Sequence, residues 1–428
     1  MVPLSLRAQQ IGNLKLDDNY SSQVSTFSEI VSGPLPLLRT LEISVVDYDF
    51  PPNEVDDPPS SPLFTGAVNL EQFVLSSWKL SLLSLFTFPN LTSFQLLTTK
   101  GWRRKASDLF TFLRASPALR TVMITIADHV TEGVIPQDPV VVLPNVETFH
   151  LHMVGNRHAS NDPMGRIYNI AAHISCPRAR NTALTHEMDY CDVTLGLEAF
   201  PASASWKTIV RNYTRDPVEE VVLEITPETY EYGVTGDDDY LACSLTIRSS
   251  NATVINLGFG AVINGGGHNL SSSQLEEHLI DQACNAIRYH PLVYHTRSLH
   301  IKYANTSALV DRLQFARSAG SHMIDFLESL EELTFDGRDL DAFLLPYLGT
   351  SWSGRLATFP LVKRLTIMHT ATKFHYNCSD AMVELVKSRH AQGKPLERVT
   401  VRAGSIPMGL RRKLKPWVGV VDCQKVAK

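Results

Sequence analysis

One short phrase recurs along this chain: an apolar residue, two others, an apolar residue, one other, an apolar residue. It stands at Ile11/Leu14/Leu16, Leu38/Leu41/Ile43, Leu70/Phe73/Leu75, Leu91/Phe94/Leu96, Leu119/Val122/Ile124 and Val146/Phe149/Leu151. It continues at Val218/Val221/Leu223, Ala252/Ile255/Leu257, Thr296/Leu299/Ile301, Leu330/Leu333/Phe335, Val362/Leu365/Ile367 and Leu396/Val399/Val401. A degenerate copy at Ala179/Thr182/Leu184 fills the longest gap. Self-similarity of this kind marks a chain of stacked units, each too small to bury its own apolar face. The last two apolar residues of a phrase fall on one face of an extended strand, and the residues between and after them fall on the other. Stacking such strands buries the apolar face at about 1.5–3 kcal/mol per aliphatic side chain.

The segments between phrases complete the unit. A Pro or Pro-Asn pair precedes many phrases (Pro36, Pro89-Asn90, Pro117, Pro144-Asn145, Pro217, Pro360, Pro395), which predicts that it stops a helix and forces an extended entry. Helical periodicity lies between, at Val24/Phe27/Val31, Leu109/Phe112/Leu113, Trp206/Ile209/Val210/Tyr213 and Met382/Leu385/Val386 running to Gly393. The expected fold is therefore an α/β leucine-rich-repeat solenoid of the ribonuclease-inhibitor kind. A curved parallel sheet lines its concave face, and helices and irregular turns form the convex one. Residues 1–428 are expected to form one domain of about 12–13 units, with an inner sheet of roughly 60 Å. Four stretches read as irregular insertions: Asp47 to Pro62, Gly155 to Gly165, Glu228 to Asp239 and Gly258 to Ser273.

Composition supports a large core, with 44% hydrophobic and 19% charged residues. A net charge of -5 makes no electrostatic case for nucleic acid or an anionic membrane, and the basic runs Arg103 to Lys105 and Arg411 to Lys413 with Lys415 read as solvated faces. No apolar run approaches the ~18 residues of a membrane helix, and the first residues lack a leader pattern. Cys176, Cys191, Cys243, Cys284, Cys378 and Cys423 include no Cys-x-x-Cys pair and suit reduced thiols. The expectation is a soluble intracellular protein, cytoplasmic or nuclear.

Several phrases carry a resemblance: Leu35-Pro36-Leu37-Leu38-Arg39-Thr40-Leu41-Glu42-Ile43, Val142-Leu143-Pro144-Asn145-Val146-Glu147-Thr148-Phe149 and Ala172-His173-Ile174-Ser175-Cys176-Pro177. To these belong Phe200-Pro201-Ala202-Ser203-Ala204-Ser205-Trp206, and Tyr213-Thr214-Arg215 leading to Pro217-Val218-Glu219-Glu220-Val221. They resemble the leucine-rich region of the F-box-like domain-containing proteins of mushroom-forming fungi. The resemblance implies a substrate receptor of a cullin-type ubiquitin ligase, in which an F-box docks on the ligase adaptor and the repeats hold the target. An F-box takes ~40 residues, yet the first phrase already begins at Ile11. No F-box is expected within this sequence, and the adaptor is a partner only through one encoded upstream. The alternative is a free-standing repeat scaffold unconnected to ubiquitination.

Motifs for chemistry are incomplete. Gly258-Phe259-Gly260 opens like a dinucleotide turn, but Ile263 stands where the third glycine belongs. His186-Glu187-Met188-Asp189 lacks the second histidine of a zinc-protease helix, since Tyr190 takes its place. His150 and His152 alternate on one strand and could share a metal only with a third ligand, and Asp237-Asp238-Asp239 lacks the alternate-residue spacing of a calcium loop. No enzyme, cofactor or metal is expected. A remote alternative is an enzyme whose site is formed by an insertion, with Asp237, Glu224, His150 or His152 converging.

The functional residues are expected on the outward strand face, where units become neighbours. They are Glu42, Val74, Gln95, Met123, His150, His152, Val222, Glu224, Asn256, His300, Lys302, Thr334, Asp336, Thr366, Thr400 and Arg402. This mostly polar set with a few apolar members suits a protein interface. The expected partner is a target protein, with no nucleic acid and no membrane.

Overall fold

The computed structural model describes residues 10–18, 35–45, 64 and 66–77, 83, 86–97, 107–127, 141–154, 170–189, 212–213, 217–230, 238–250, 254–263, 293–303, 327, 329–337, 361–373 and 376–425. The expected insertions at 47–62 and 155–165, and the helical segment at 24–31, lie outside these residues. The chain divides into two compact units, Met1–Gly196 with Ser203–Thr214, and Leu197–Ala202 with Arg215–Lys428.

In the first unit seven strands pair side by side and all parallel: β1 (Asn13–Asp18), β2 (Thr40–Val45), β3 (Gln72–Ser77), β4 (Ser93–Leu97), β5 (Thr121–Ala127), β7 (Thr148–Val154) and β9 (Asn181–Asp189). A separate two-stranded ribbon joins β6 (Val141–Val142) to β8 (Ile174–Ser175). In the second unit the order is β12 (Val254–Ile263), β11 (Asp238–Ser249), β10 (Val218–Tyr230), β13 (Ser298–Tyr303), β14 (Glu332–Gly337), β15 (Arg364–Lys373), β16 (Arg398–Ser405) and β17 (Val420–Lys425). Helices are few among the described residues: α1 (Ser107–Arg114), α2 (Tyr376–Ala391) and α3 (Leu410–Leu414).

All thirteen phrases end on a strand, the degenerate copy included, and their closing pairs face the core, except that Leu14 and Leu16 on β1 are only half-buried. Leu41, Ile43, Phe73, Leu75, Phe94, Leu96, Val122, Ile124, Phe149 and Leu151 are buried in the first unit. Leu223, Leu257, Leu299, Ile301, Leu333, Phe335, Leu365, Ile367, Val399 and Val401 are buried in the second. Thr182 departs chemically. It is fully buried, yet its hydroxyl has no hydrogen-bond partner among the described residues. Thr182→Val is therefore expected to raise stability by about 1 kcal/mol, because it removes an unsatisfied buried hydroxyl at nearly constant shape. An unchanged urea midpoint would contradict this.

A backbone pattern repeats with the phrase. One carbonyl before each strand accepts two successive N–H groups from the next unit: Arg39 and Thr40 on Gly12, Glu71 and Gln72 on Arg39, Thr92 and Ser93 on Glu71. The series runs on through Thr92, Arg120 and Glu147 in the first unit, and through Arg297, Glu331 and Lys363 in the second. Just upstream, a tight turn closes by an N–H to C=O bond between residues three apart, as in Leu38 to Leu35, Leu91 to Phe88, Leu119 to Ser116 and Val146 to Leu143.

Pro36, Pro89, Pro117 and Pro144 sit at the second position of this turn, where their fixed φ suits the corner, so at these four the role is the turn and not the extended entry expected from sequence. Pro217 does lead directly into β10. Asparagine at the third position links consecutive turns. Asn69 donates to the Pro36 carbonyl (2.8 Å), Asn90 to that of Val68 (2.8 Å) and Asn145 to that of Pro117 (3.1 Å).

Two expectations need correction. The sheet is not uniformly parallel: β10 pairs with β11 and β11 with β12 antiparallel, over 12 and 10 partnered positions. The supposed insertion from Glu228 to Asp239 begins as the end of β10, at 228–230, and ends as the start of β11, at 238–239, and the one from Gly258 to Ser273 begins as the second half of β12. Ladder pairing satisfies these backbone groups whatever the composition, so acidic and Gly-rich residues there did not mean loop. His186, Glu187 and Asp189, the incomplete zinc-protease motif already set aside, lie in β9.

The first core is rich in rings. Phe73 lies 4.9 Å from Phe86, 5.3 Å from Phe88 and 5.9 Å from both Phe94 and Phe112, centroid to centroid. Helix α1 supplies Phe112 because Leu109, Phe110, Phe112 and Leu113 recur at helical spacing and bury one face. Helix α2 ends as expected at Gly393, whose φ of +73° suits glycine: Lys394 N–H reaches Arg389 and Gly393 N–H reaches His390. The expected helix at 206–213 is described only at Asn212 and Tyr213.

Candidate functional site

Strand alternation places the residues between the buried pairs on the opposite face, and register decides which of them meet. In the first unit the central row runs Lys15, Glu42, Val74, Gln95, Met123, His150 and Ala183, each directly opposite the next. Beside it runs Asp17, Ser44, Ser76, Leu97, Thr125, His152 and Thr185. In the second unit the central row is Asn256, Thr246, Val222, His300, Thr334, Thr366, Thr400 and Asp422. Its neighbour is Gly258, Ser244, Glu224, Lys302, Asp336, Met368, Arg402 and Gln424.

The sixteen residues expected on this face thus fall into two sets, one per unit, each in lateral register. Glu42, Val74, Gln95, Met123, His150 and His152 share the first; Val222, Glu224, Asn256, His300, Lys302, Thr334, Asp336, Thr366, Thr400 and Arg402 share the second. Two differ from expectation in exposure. Val222 and Thr400 are buried, at 6% and 8% exposure. Met123, at 37%, is the exposed apolar member of the first set.

Cross-strand charge pairs stitch both faces. Lys15 bonds Glu42 at 2.7 Å, which holds its ammonium above the ordinary lysine value. Lys302 lies 3.6 Å from Glu224, and Arg248 pairs with Glu220 and Arg364 with Glu332 along the same sheet. These pairs are exposed to solvent that screens them, so they order the surface more than they stabilise the fold. Further polar links are Thr246 Oγ1 to Asn256 Oδ1 (2.9 Å) and His152 Nδ1 with Thr185 Oγ1 (2.7 Å).

His150 and His300 occupy corresponding central positions, and the Nε2 of each is buried without a hydrogen-bond partner among the described residues. Burial lowers both pKa values from the ordinary 6.5. At His300 the Lys302 ammonium acts in the same direction, partly opposed by Asp336, Glu220 and Glu224. The unfolded chain then binds more protons than the folded one just below pH 6.5, so stability is fully present above that pH and is lost as pH falls through the lowered folded values. The urea midpoint is expected to drop between about pH 7.5 and 5.5. The drop should be smaller in H150Q/H300Q; equal drops in both proteins would remove these imidazoles from the account.

Among the described residues no group of three or more His, Cys, Asp or Glu could hold a metal ion, and Asp237 lies outside them. The buried Cys176 thiol is pushed far up by desolvation. No helix among the described residues is long and apolar enough to cross a membrane. No protein-family model matches the chain, and no curated protein matches it.

Sequence reasoning missed several members of the rows. Lys15 and Ala183 follow from the phrases already found. Thr246 and Asp422 lie on strands left unrecognised, although Ala242/Leu245/Ile247 and Val418/Val421/Cys423 both fit the phrase spacing.

Proposed function

We propose that this protein is a leucine-rich-repeat recognition scaffold that binds a target protein through the outward strand faces. The observation that carries the reading is lateral register: polar and charged side chains of neighbouring strands stand opposite one another in continuous rows, with a few apolar members among them. Rows of this kind present many contacts from a rigid backbone, so little ordering entropy is lost on binding.

The decisive residues of the second unit are Glu224 and Lys302. Reversing either one, E224K or K302E, is expected to weaken binding of the partner at least tenfold, because it sets like charge against like charge across the interface. The swap E224K/K302E keeps an ion pair on the sheet but reverses its order, and should not restore binding. Reversal of the exposed pair Glu384 and Lys387 on α2 should leave it intact. Quantitative affinity capture compares the parent with E224K, K302E, the swap and the α2 reversal; identical partners and affinities for the parent, E224K and K302E would overturn the assignment.

The residues from Leu35 to Ile43 and from Val142 to Phe149 support a narrower reading, in which the bound protein is the substrate of a cullin-type ubiquitin ligase. Co-precipitation of the ligase adaptor with the complete gene product tests it.

A further inference from the structure

The corner that joins β16 to β17 differs electrostatically from the rest of the chain. Residues 398–428 contain eight Lys and Arg against a single Asp, Asp422, although the chain as a whole carries -5. The remaining residues therefore carry -12, and this end alone carries +7. The cations cluster on the short helix α3 and its flank: Arg411, Arg412, Lys413 and Lys415 are all exposed. Leu410 and Leu414, four apart, are buried and fix the helix to the body of the unit, so the basic residues stand on its solvent side. Lys413 is held 3.3 Å from Asp380 of α2, which leaves Arg411, Arg412 and Lys415 as the outermost charges.

Immediately before this helix the chain turns through Gly409, at φ +87°, and carries Met408 at 100% exposure, beside the half-buried Ile406 and Pro407. A bare thioether side chain on a turn anchored by buried leucines gains nothing from water. It lies three and four residues before Arg411 and Arg412, and so shares their end of the corner.

We propose that this corner is a docking site for an anionic lipid surface, with Met408 entering the headgroup boundary and Arg411, Arg412 and Lys415 lying against lipid phosphates. An exposed apolar side chain followed closely by exposed cations suits an interface that is apolar beneath and negative above. A nucleic acid is less well served. Single strands call for aromatic platforms, and the nearby Trp417 is half-buried and packed edge-on against His390 with centroids 5.4 Å apart; a duplex would use the cations and ignore the methionine. Peripheral docking of this kind needs no membrane-crossing helix.

Each Lys or Arg near an anionic surface contributes about fivefold to partitioning, so three give about a hundredfold. The full chain should co-sediment with vesicles of phosphatidylcholine containing one-third phosphatidylserine, not with phosphatidylcholine alone, and release as salt rises. R411E/R412E should lose most of the binding, M408D about tenfold and M408L almost nothing, while circular dichroism stays unchanged because all three positions are exposed. No binding to anionic vesicles by the folded chain would overturn the proposal. So would M408D binding like the parent while duplex DNA competes, which would mark a general polyanion surface.

Discussion

Replacing Phe73 with alanine is expected to lower the stability of the first unit by about 3–5 kcal/mol, the largest effect of any single truncation in its core. Phe73 is 1% exposed, and its ring centroid lies within 6 Å of four others contributed by β4, α1 and the segment 86–88. Truncation removes the transfer free energy of the ring and the edge and tilted contacts at once, and leaves a cavity that rings anchored on three separate segments cannot collapse to fill. Phe110 offers the contrast. It is also buried, but among the described residues its ring packs on a single other ring, that of His173, 5.1 Å away, so Phe110→Ala should cost less. Urea unfolding of both variants orders them; a smaller shift for Phe73→Ala would mean that the ring cluster is not the centre of this core.

Asn212→Leu is expected to cost about 2–4 kcal/mol through backbone left unpaired rather than volume lost. Asn212 is 4% exposed, and its amide donates to the carbonyls of Ala172 (2.9 Å) and Ile174 (3.2 Å), while its own carbonyl receives the Cys176 N–H at 3.2 Å. Tyr213 beside it donates to Ala171 and stacks on Phe149 at 5.3 Å. Leucine keeps the size but strands two buried acceptors, at about 1–3 kcal/mol each. Val141 and Leu143 bond His173 and Ser175, so the loosening should reach β6. Amide exchange at residues 141–143 and 173–176 should accelerate; unchanged exchange together with an unchanged midpoint would remove Asn212 from this role.

Much of the strand content was legible because burying a strand edge-on in a stack leaves a phrase in the sequence that survives substitution among Leu, Ile, Val and Phe. The outward residues were legible for the same reason, since alternation fixes which side a residue takes. What the phrase does not encode is direction. Ala242/Leu245/Ile247 has the same spacing on the antiparallel β11 as its parallel counterparts have, so the reversal at β10–β11–β12 carries no mark in apolar spacing. Proline was seen but assigned to the strand entry, whereas at Pro36, Pro89, Pro117 and Pro144 it sits in the turn, one step earlier. The asparagine links were illegible for a different reason: each acts on the carbonyl of the preceding turn, some twenty to thirty residues back. Asn212 gave no signal at all, because a lone asparagine in a sequence does not reveal that three backbone groups converge on it.

The β10–β11–β12 reversal also bears on how the second unit assembles. Only seven residues separate β10 from β11 and four separate β11 from β12, whereas each parallel pairing in that unit must close a longer connection. Loop-closure entropy grows with length, and hairpins form in microseconds, well ahead of crossover pairings. The hairpin is thus the place where order begins most cheaply, and β10, which lends its other edge to β13, becomes the template on which the parallel strands then add one after another toward β17.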